Sequence, residues 1–420
     1  MTPSPTSTSP TSKSPTGLGP TESLLDAKRR TDPAEFSRIL RERGPIFWWE
    51  PDRFWVVTDF ELASQILKGT DFSANRGEYF MARLGTVSFK HVGQFLNVVG
   101  KMMTTSDPPA HTQRRRLAQF GIADHVIDAF RPTVERTVDQ LVEQVAARGG
   151  DIELVSQIAL PLPCTVLADL FSIPPESRSD FYAWANAMTQ FFGGASEDIE
   201  RDAKAANNGA GNLHRYFTEL IAKRRASPAG DFLSNLLEHQ KEIGLDDDEV
   251  ISQAVMMLVA GSITTTDQIC NDMIQVLEHG PALGSLTGPK LDAALEEATR
   301  LDPSVNFMFR VASKDLTLGG AAIKSLQLAF ISAHAVNRDP AVFPAPDELR
   351  LDRPRNPHMG YGAGLHYCLG ARLGRIQLTA LFARLIARFP KLALSRTTPP
   401  VRKHESLGFS GYTALTLSVG

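Results

Sequence analysis

Apolar positions along the chain recur mostly at intervals of three and four residues, the spacing that gathers them on one face of a helix. Stretches of this kind run over residues 129–147, 164–171, 181–192, 249–279, 290–301 and 368–388. β patterns are rarer. Phe54-Trp55-Val56-Val57-Thr58 predicts a strand, a helix follows over 60–67, and a weaker β pattern recurs over 316–331. The chain therefore reads as mainly α with a minor β lobe. Residues 1–20 are almost wholly Ser, Thr, Pro and Gly. They predict a disordered tail, because they cannot bury enough apolar surface to offset the entropy of ordering. Residues 21–420 read as one domain.

Composition narrows the function class. With 420 residues, 42% hydrophobic and 22% charged, the chain can bury a substantial core. A net charge of -3 without a long basic run gives no reason to expect a nucleic-acid or membrane partner, and favours a small-molecule one. No run of eighteen apolar residues and no basic-then-apolar N-terminus occur, so a cytoplasmic protein is expected. Three widely separated cysteines, Cys164, Cys270 and Cys368, do not make a disulfide framework. Cys164 and Cys270 fall on predicted helices and read as structural.

Cys368 differs. Residues 358–370, His-Met-Gly-Tyr-Gly-Ala-Gly-Leu-His-Tyr-Cys-Leu-Gly, place four glycines around it just before an apolar-periodic helix. Glycine there permits positive φ and close approach of backbone to a flat ligand. A cysteine at the start of the predicted helix should have its thiolate favoured by unpaired amides and the helix dipole. A small buried hydrophobe is the plainer reading of a free cysteine. A phosphate cradle is disfavoured, because no Lys-Ser or Lys-Thr opens the helix.

The run Tyr361-Gly362-Ala363-Gly364-Leu365-His366-Tyr367-Cys368-Leu369-Gly370 resembles the haem-binding signature of the cytochrome P450 family, with Tyr361 where phenylalanine is usual. The resemblance implies the cytochrome P450 fold, with haem b (iron protoporphyrin IX) between a long oxygen-side helix and the cysteine-loop helix. It makes Cys368 the axial ligand that favours O–O cleavage, bordered by Tyr361, Gly362 and Gly370. Glu297-Ala298-Thr299-Arg300 resembles the family's Glu-x-x-Arg motif, which implies a buried network with Arg353. Residues 107–115 resemble the segment entering the helix at the haem propionates. By position His111, Arg115, Arg310 and His358 become candidate partners for those carboxylates.

Asp246, Asp247 and Asp248 supply cap and dipole-compatible charge for a helix running to about His279. Met256, Val259, Ala260, Ile263 and Thr264 recur at helical spacing on it. Its middle, residues 260–266, combines Gly261 with four β-branched residues, a poor choice for an uninterrupted helix. A Thr264 hydroxyl bonded back to the Ala260 carbonyl would bend it locally. The family pattern has an acid before the threonine, where this chain has Ile263. Splitting O₂ needs two protons and isoleucine donates none.

The resemblance implies a monooxygenase, of the soluble bacterial type, oxidising a small organic and secondary-metabolite substrate with O₂. About fifty residues follow Cys368, too few for an ordinary fused redox domain. Electrons are therefore expected from outside, and the resemblance implies a separate ferredoxin and its reductase, with Arg114 to Arg116, Arg372 and Arg375 as a basic docking cluster on a monomer. Pocket walls are expected from Met256, Val259, Ile263, Phe307 and Phe409, with Phe80, Phe89, Phe95, Phe191 and Phe192 in the same regions. Ile263 leaves two alternatives. One is an atypical reaction (peroxide-driven, oxidative coupling or nitric-oxide-using nitration), and the other is a non-catalytic helper protein.

Overall fold

A computed structural model describes residues 32–75, 77, 89–193, 198–403 and 408–420. The predicted tail and Phe80 lie outside them. Helices dominate, and the β lobe is built around a five-stranded sheet ordered Ile46–Trp49, Phe54–Val57, Leu328–Ser332, Phe307–Ala312, Phe72–Ser73. Phe54–Val57 pairs in parallel with Leu328–Ser332, and the other pairings are antiparallel. The rings of Phe54 and Phe330 stack at 3.9 Å across that parallel pair, a contact between residues far apart in sequence that aromatic side chains favour on a pleated surface. The weak β pattern resolves into two pieces, the hairpin Leu316–Leu318 with Ala321–Ile323 and the strand Leu328–Ser332.

The helix Asp247–His279 runs for 33 residues and is buried along most of its length. Asp246 caps it in a reciprocal capping box with Glu249, which satisfies two otherwise unpaired amides. It is long and apolar enough to cross a membrane by length and composition, yet 72% of its apolar window is buried inside the protein. It is a core helix. The helix stays continuous through residues 260–266. Three hydroxyls there bond back one turn: Ser262 to Leu258, Thr264 to Ala260 and Thr266 to Ser262. The residues that weaken local propensity thus satisfy themselves on the helix's own carbonyls, and packing holds the rest.

The predicted helix over 181–192 lies within Arg178–Gly193, and a second helix, Ile199–Ala226, follows. Gly209 allows them to touch, since a Cβ there would lie 2.6 Å from the Trp184 carbonyl oxygen. The segment expected as helix 368–388 begins later, at Ala371, and ends at Arg388. Cys368 therefore precedes the helix rather than standing in its first turn. Gly370 takes the cap position.

Candidate active site

The cysteine loop is organised by its own backbone. The Gly362 amide donates to the Met359 carbonyl and the Cys368 amide to the Tyr361 carbonyl, each at 2.9 Å. Gly362 and Gly364 have φ of +72° and +68°, conformations that side chains with a Cβ rarely adopt. At Gly364 a Cβ would also lie 2.3 Å from the Leu67 carbonyl oxygen. The chain consequently turns back on itself, seats on helix Phe60–Lys68 and brings Cys368 to the wall of a cavity of about 380 Å³.

Cys368 lines that cavity and is accessible from it. Burial nevertheless pushes its thiol up, opposed by a hydrogen bond from the Gly370 amide and by the charges of Arg375 and Arg115. The expected lowering by a helix start is not what the fold provides, because the helix begins three residues later. A metal ion bonded to the sulfur is what would hold the thiolate. Cys164 and Cys270 are buried elsewhere, and burial pushes the Cys164 thiol up to about 12.

The opposite wall comes from the long helix: Met256, Met257, Val259, Ala260, Gly261, Thr264, Thr265 and Gln268 line the cavity. Thr264 donates to the Ala260 carbonyl at 2.5 Å. Ile263, expected in the pocket, is buried at 9% exposure and is not among the lining residues. Its spacing from Met256 and Val259, seven and four residues back, matches two lining residues, so helical phase alone does not account for its absence from the wall. Phe307 and Phe409 do line the cavity, as do Phe192 and Phe309, whereas Phe89, Phe95 and Phe191 do not. Six methionines, Met102, Met103, Met256, Met257, Met308 and Met359, also line it.

One edge of the cavity is cationic. His111, Arg115 and Arg310 line it together with His366. His111 is 1% exposed, and neither ring nitrogen has a hydrogen-bond partner. Burial, then the Arg115 charge, holds its pKa below the usual histidine range. Arg115 donates to the Tyr367 carbonyl at 2.9 Å, which ties this edge to the cysteine loop. Two unpartnered nitrogens buried among arginines fit anionic groups such as the carboxylates of haem.

His358 is a correction. Its Nε2 pairs with Glu296 at 3.0 Å, its Nδ1 accepts the Gly360 amide, and it does not line the cavity. The residue missed is His366, whose ring lies 4.2 Å from that of His111. Its position two residues before Cys368 in the same loop was the available signal.

Beneath the loop, Glu297, Arg300 and Arg353 come together. Arg300 makes two bonds to Glu297 at 2.7 and 2.9 Å, and Arg353 a third at 2.8 Å. Arg300 also donates to the carbonyls of Asn337, Pro346 and Glu348. Burial works against the Glu297 charge, but the Arg300, Arg350 and Arg353 bonds outweigh it and hold the carboxyl low. Glu296 is likewise resisted by burial yet drawn down to about 2 by His358 and Arg375. The expected basic cluster is mostly neutralised: Arg114 pairs with Glu249, Arg116 with Glu242, Arg372 with Asp124 and Asp128, and Arg375 with Glu296.

The profile of the family described as Cytochrome P450 matches residues 289–413. Cytochrome P450 107B1 of Saccharopolyspora erythraea is 30% identical, covering 87% of this chain and 89% of that protein. Mycinamicin IV hydroxylase/epoxidase of Micromonospora griseorubida is 32% identical, with coverage of 89% and 92%. The chain belongs to the cytochrome P450 family. Among solved cytochrome P450 structures, P450BioI superposes with a TM-score of 0.83 at 28% identity, covering 92% of this chain and 98% of that one. CalO2 superposes with a TM-score of 0.86 at 25% identity, covering 95% and 99%. The architecture is thus the cytochrome P450 fold, and the chain is an oxidoreductase of the monooxygenase type with bacterial secondary-metabolite relatives.

Proposed function

We propose that this protein binds haem b through Cys368 and uses it to oxidise a small, largely apolar secondary-metabolite substrate with O₂. The observation that carries the reading is one cavity bounded by Cys368, by an unpartnered His111 beside Arg115 and Arg310, and by Thr264 on the opposite wall. His111, Arg115, Arg310 and His366 would take the propionates, and Gly362 and Gly370 would let the loop lie close to the ring. Haem, when bound, supplies the iron chemistry that activates O₂, with electrons from an external donor that we take to be a ferredoxin and its reductase.

The protein's own work is to position and to deliver protons. Thr264 and Thr265 line the cavity, and the Thr264 oxygen, its hydrogen given to the Ala260 carbonyl, is left to accept. With Ile263 apolar and off the cavity wall, protons reach the site through water held by these groups. The apolar lining excludes bulk water, and its methionines adapt to irregular ligands. We further read the protein as a cytoplasmic monomer. Because Ile263 offers no proton, a peroxide-driven reaction is the second reading. Turnover with hydrogen peroxide against turnover with reduced ferredoxin and reductase separates the two.

The decisive test of the haem site is Cys368→Ala. The parent, reduced under carbon monoxide, should show the thiolate-type Soret difference band, and the variant should lose it entirely. A retained band would remove Cys368 as ligand.

A further inference from the structure

Part of the cavity wall is a turn at Gly408 and Phe409 near the C-terminal end. Its backbone is held to the segment before strand Phe307–Ala312. The Asn306 amide donates to the Gly408 carbonyl at 2.8 Å, the Asn306 side chain to the Phe409 carbonyl at 3.0 Å, and Ser410 to the Ser304 carbonyl at 2.8 Å. Those bonds set the turn against the β lobe. They do not set it against the long helix, which forms another wall of the same cavity.

The attachment to the long helix has two parts: the Asn271 side chain of that helix donates to the Ser410 carbonyl at 3.1 Å, and the other part is electrostatic. Lys403, at the end of the strand leading into this segment, puts Nζ 2.5 Å from Oδ1 of Asp267. Asp267 belongs to the long helix three residues after Thr264, is 0% exposed, and its Oδ2 has no partner. The fit is tight on the other side too: a Cβ at Gly411 would lie 2.2 Å from Asp267 Oδ1. The Lys403 amide donates to the Gly411 carbonyl at 2.9 Å, which closes the two arms of the hairpin over the carboxylate. The neighbouring Arg402 pairs with buried Asp302, donates to Ser410 Oγ and lies 4.8 Å over the Tyr412 ring. Two cations thus meet two buried carboxylates one to one. Taking either partner away leaves a charge in a dry site, which costs more than the pair itself contributes.

We propose that Asp267 and Lys403 are a positioning pair that fixes the Gly408 and Phe409 turn against the long helix and so sets how bulky a ligand the cavity admits. Neither residue lines the cavity, so the pair acts through Phe409. Burial pushes the Asp267 carboxyl up to about 7, with Lys403 first among the groups that oppose the rise, then Arg402, and Asp302 adding to it. The proposal rests on the haem reading given above, because its optical probes bind iron.

The test compares imidazole, small enough to ignore Phe409, with 4-phenylimidazole, whose ring must pass it. Both are titrated optically into the haem-loaded parent, Lys403→Met, Lys403→Arg and the double variant Asp267→Asn with Lys403→Met. In Lys403→Met the 4-phenylimidazole Kd should change by about five-fold or more, while imidazole stays within about two-fold. Lys403→Arg should restore the parent's discrimination. The double variant, which removes the stranded charge, should load haem normally yet keep the altered discrimination. Parallel shifts of both probes, or none, overturn the proposal. Amide exchange supplies a readout that needs no haem. Residues 408–412 should exchange about tenfold faster in Lys403→Met while residues 257–265 stay unchanged, and equal protection of 408–412 in parent and variant also overturns it.

Discussion

The two walls of the cavity are held by different means. On the cysteine side nearly every polar group is tied to a distant part of the chain: Arg300 reaches Glu297 and three carbonyls, Glu296 reaches His358 and Arg375, and Arg115 reaches Tyr367. On the oxygen-side helix the hydroxyls of Ser262, Thr264 and Thr266 are spent on carbonyls one turn back. One wall is cross-linked right up to the cavity, and the other is a helix whose middle turns satisfy themselves while Gln253, Asp267, Gln268 and Asn271 on either side tie it to other segments. A ligand's position is thereby decided on the first wall, and its chemistry depends on the few atoms left over on the second.

That contrast can be broken from either side. The largest effect is expected from Arg300→Met, which leaves Glu297 charged and buried. It should cost about 3–5 kcal/mol in a urea or thermal unfolding measurement, with poor haem retention. A loss below about 1 kcal/mol would mean the cysteine-side wall is not cross-linked as described. His111→Ala should loosen haem about tenfold in transfer to apomyoglobin, the scale of one charge-assisted hydrogen bond, with little change in unfolding. His358→Ala is its control and should leave haem transfer unchanged, since His358 serves Glu296 rather than the cavity. The smallest structural effect is expected from Thr264→Val, within about 0.5 kcal/mol of the parent in unfolding, because only a back-bond to Ala260 is lost. Its signature should instead be a fall in product formed per NADPH consumed. Unchanged coupling would remove Thr264 from proton handling.

The cysteine loop was legible because the glycines and the backbone bonds that turn it lie within its own dozen residues, and only its seat on Leu67 comes from elsewhere. Glu297 and Arg300 were legible for the same reason, being three apart on one helical face. His358 was misplaced because its direction depends on Glu296, 62 residues away, and no local pattern carries that contact. Ile263 was misplaced because periodicity sets it on the face of Met256 and Val259, and periodicity does not show which side chains of a face reach the cavity. The pairing of the basic cluster was not legible, because its acidic partners come from four other segments, which a charge count along the chain does not show. Lys403 and Asp267, 136 residues apart, had no signal at all.

The parallel pairing of Phe54–Val57 with Leu328–Ser332 has a consequence for how the protein is made. As the ribosome releases the chain from its N-terminus, an early strand must wait for a partner synthesised some 270 residues later. The long helix and the His111 segment are both translated before that partner emerges, and Cys368 comes later still. The residues that would grip the propionates therefore exist before the one that would grip the metal. Until translation passes Cys368, the nascent protein is a pocket without its floor.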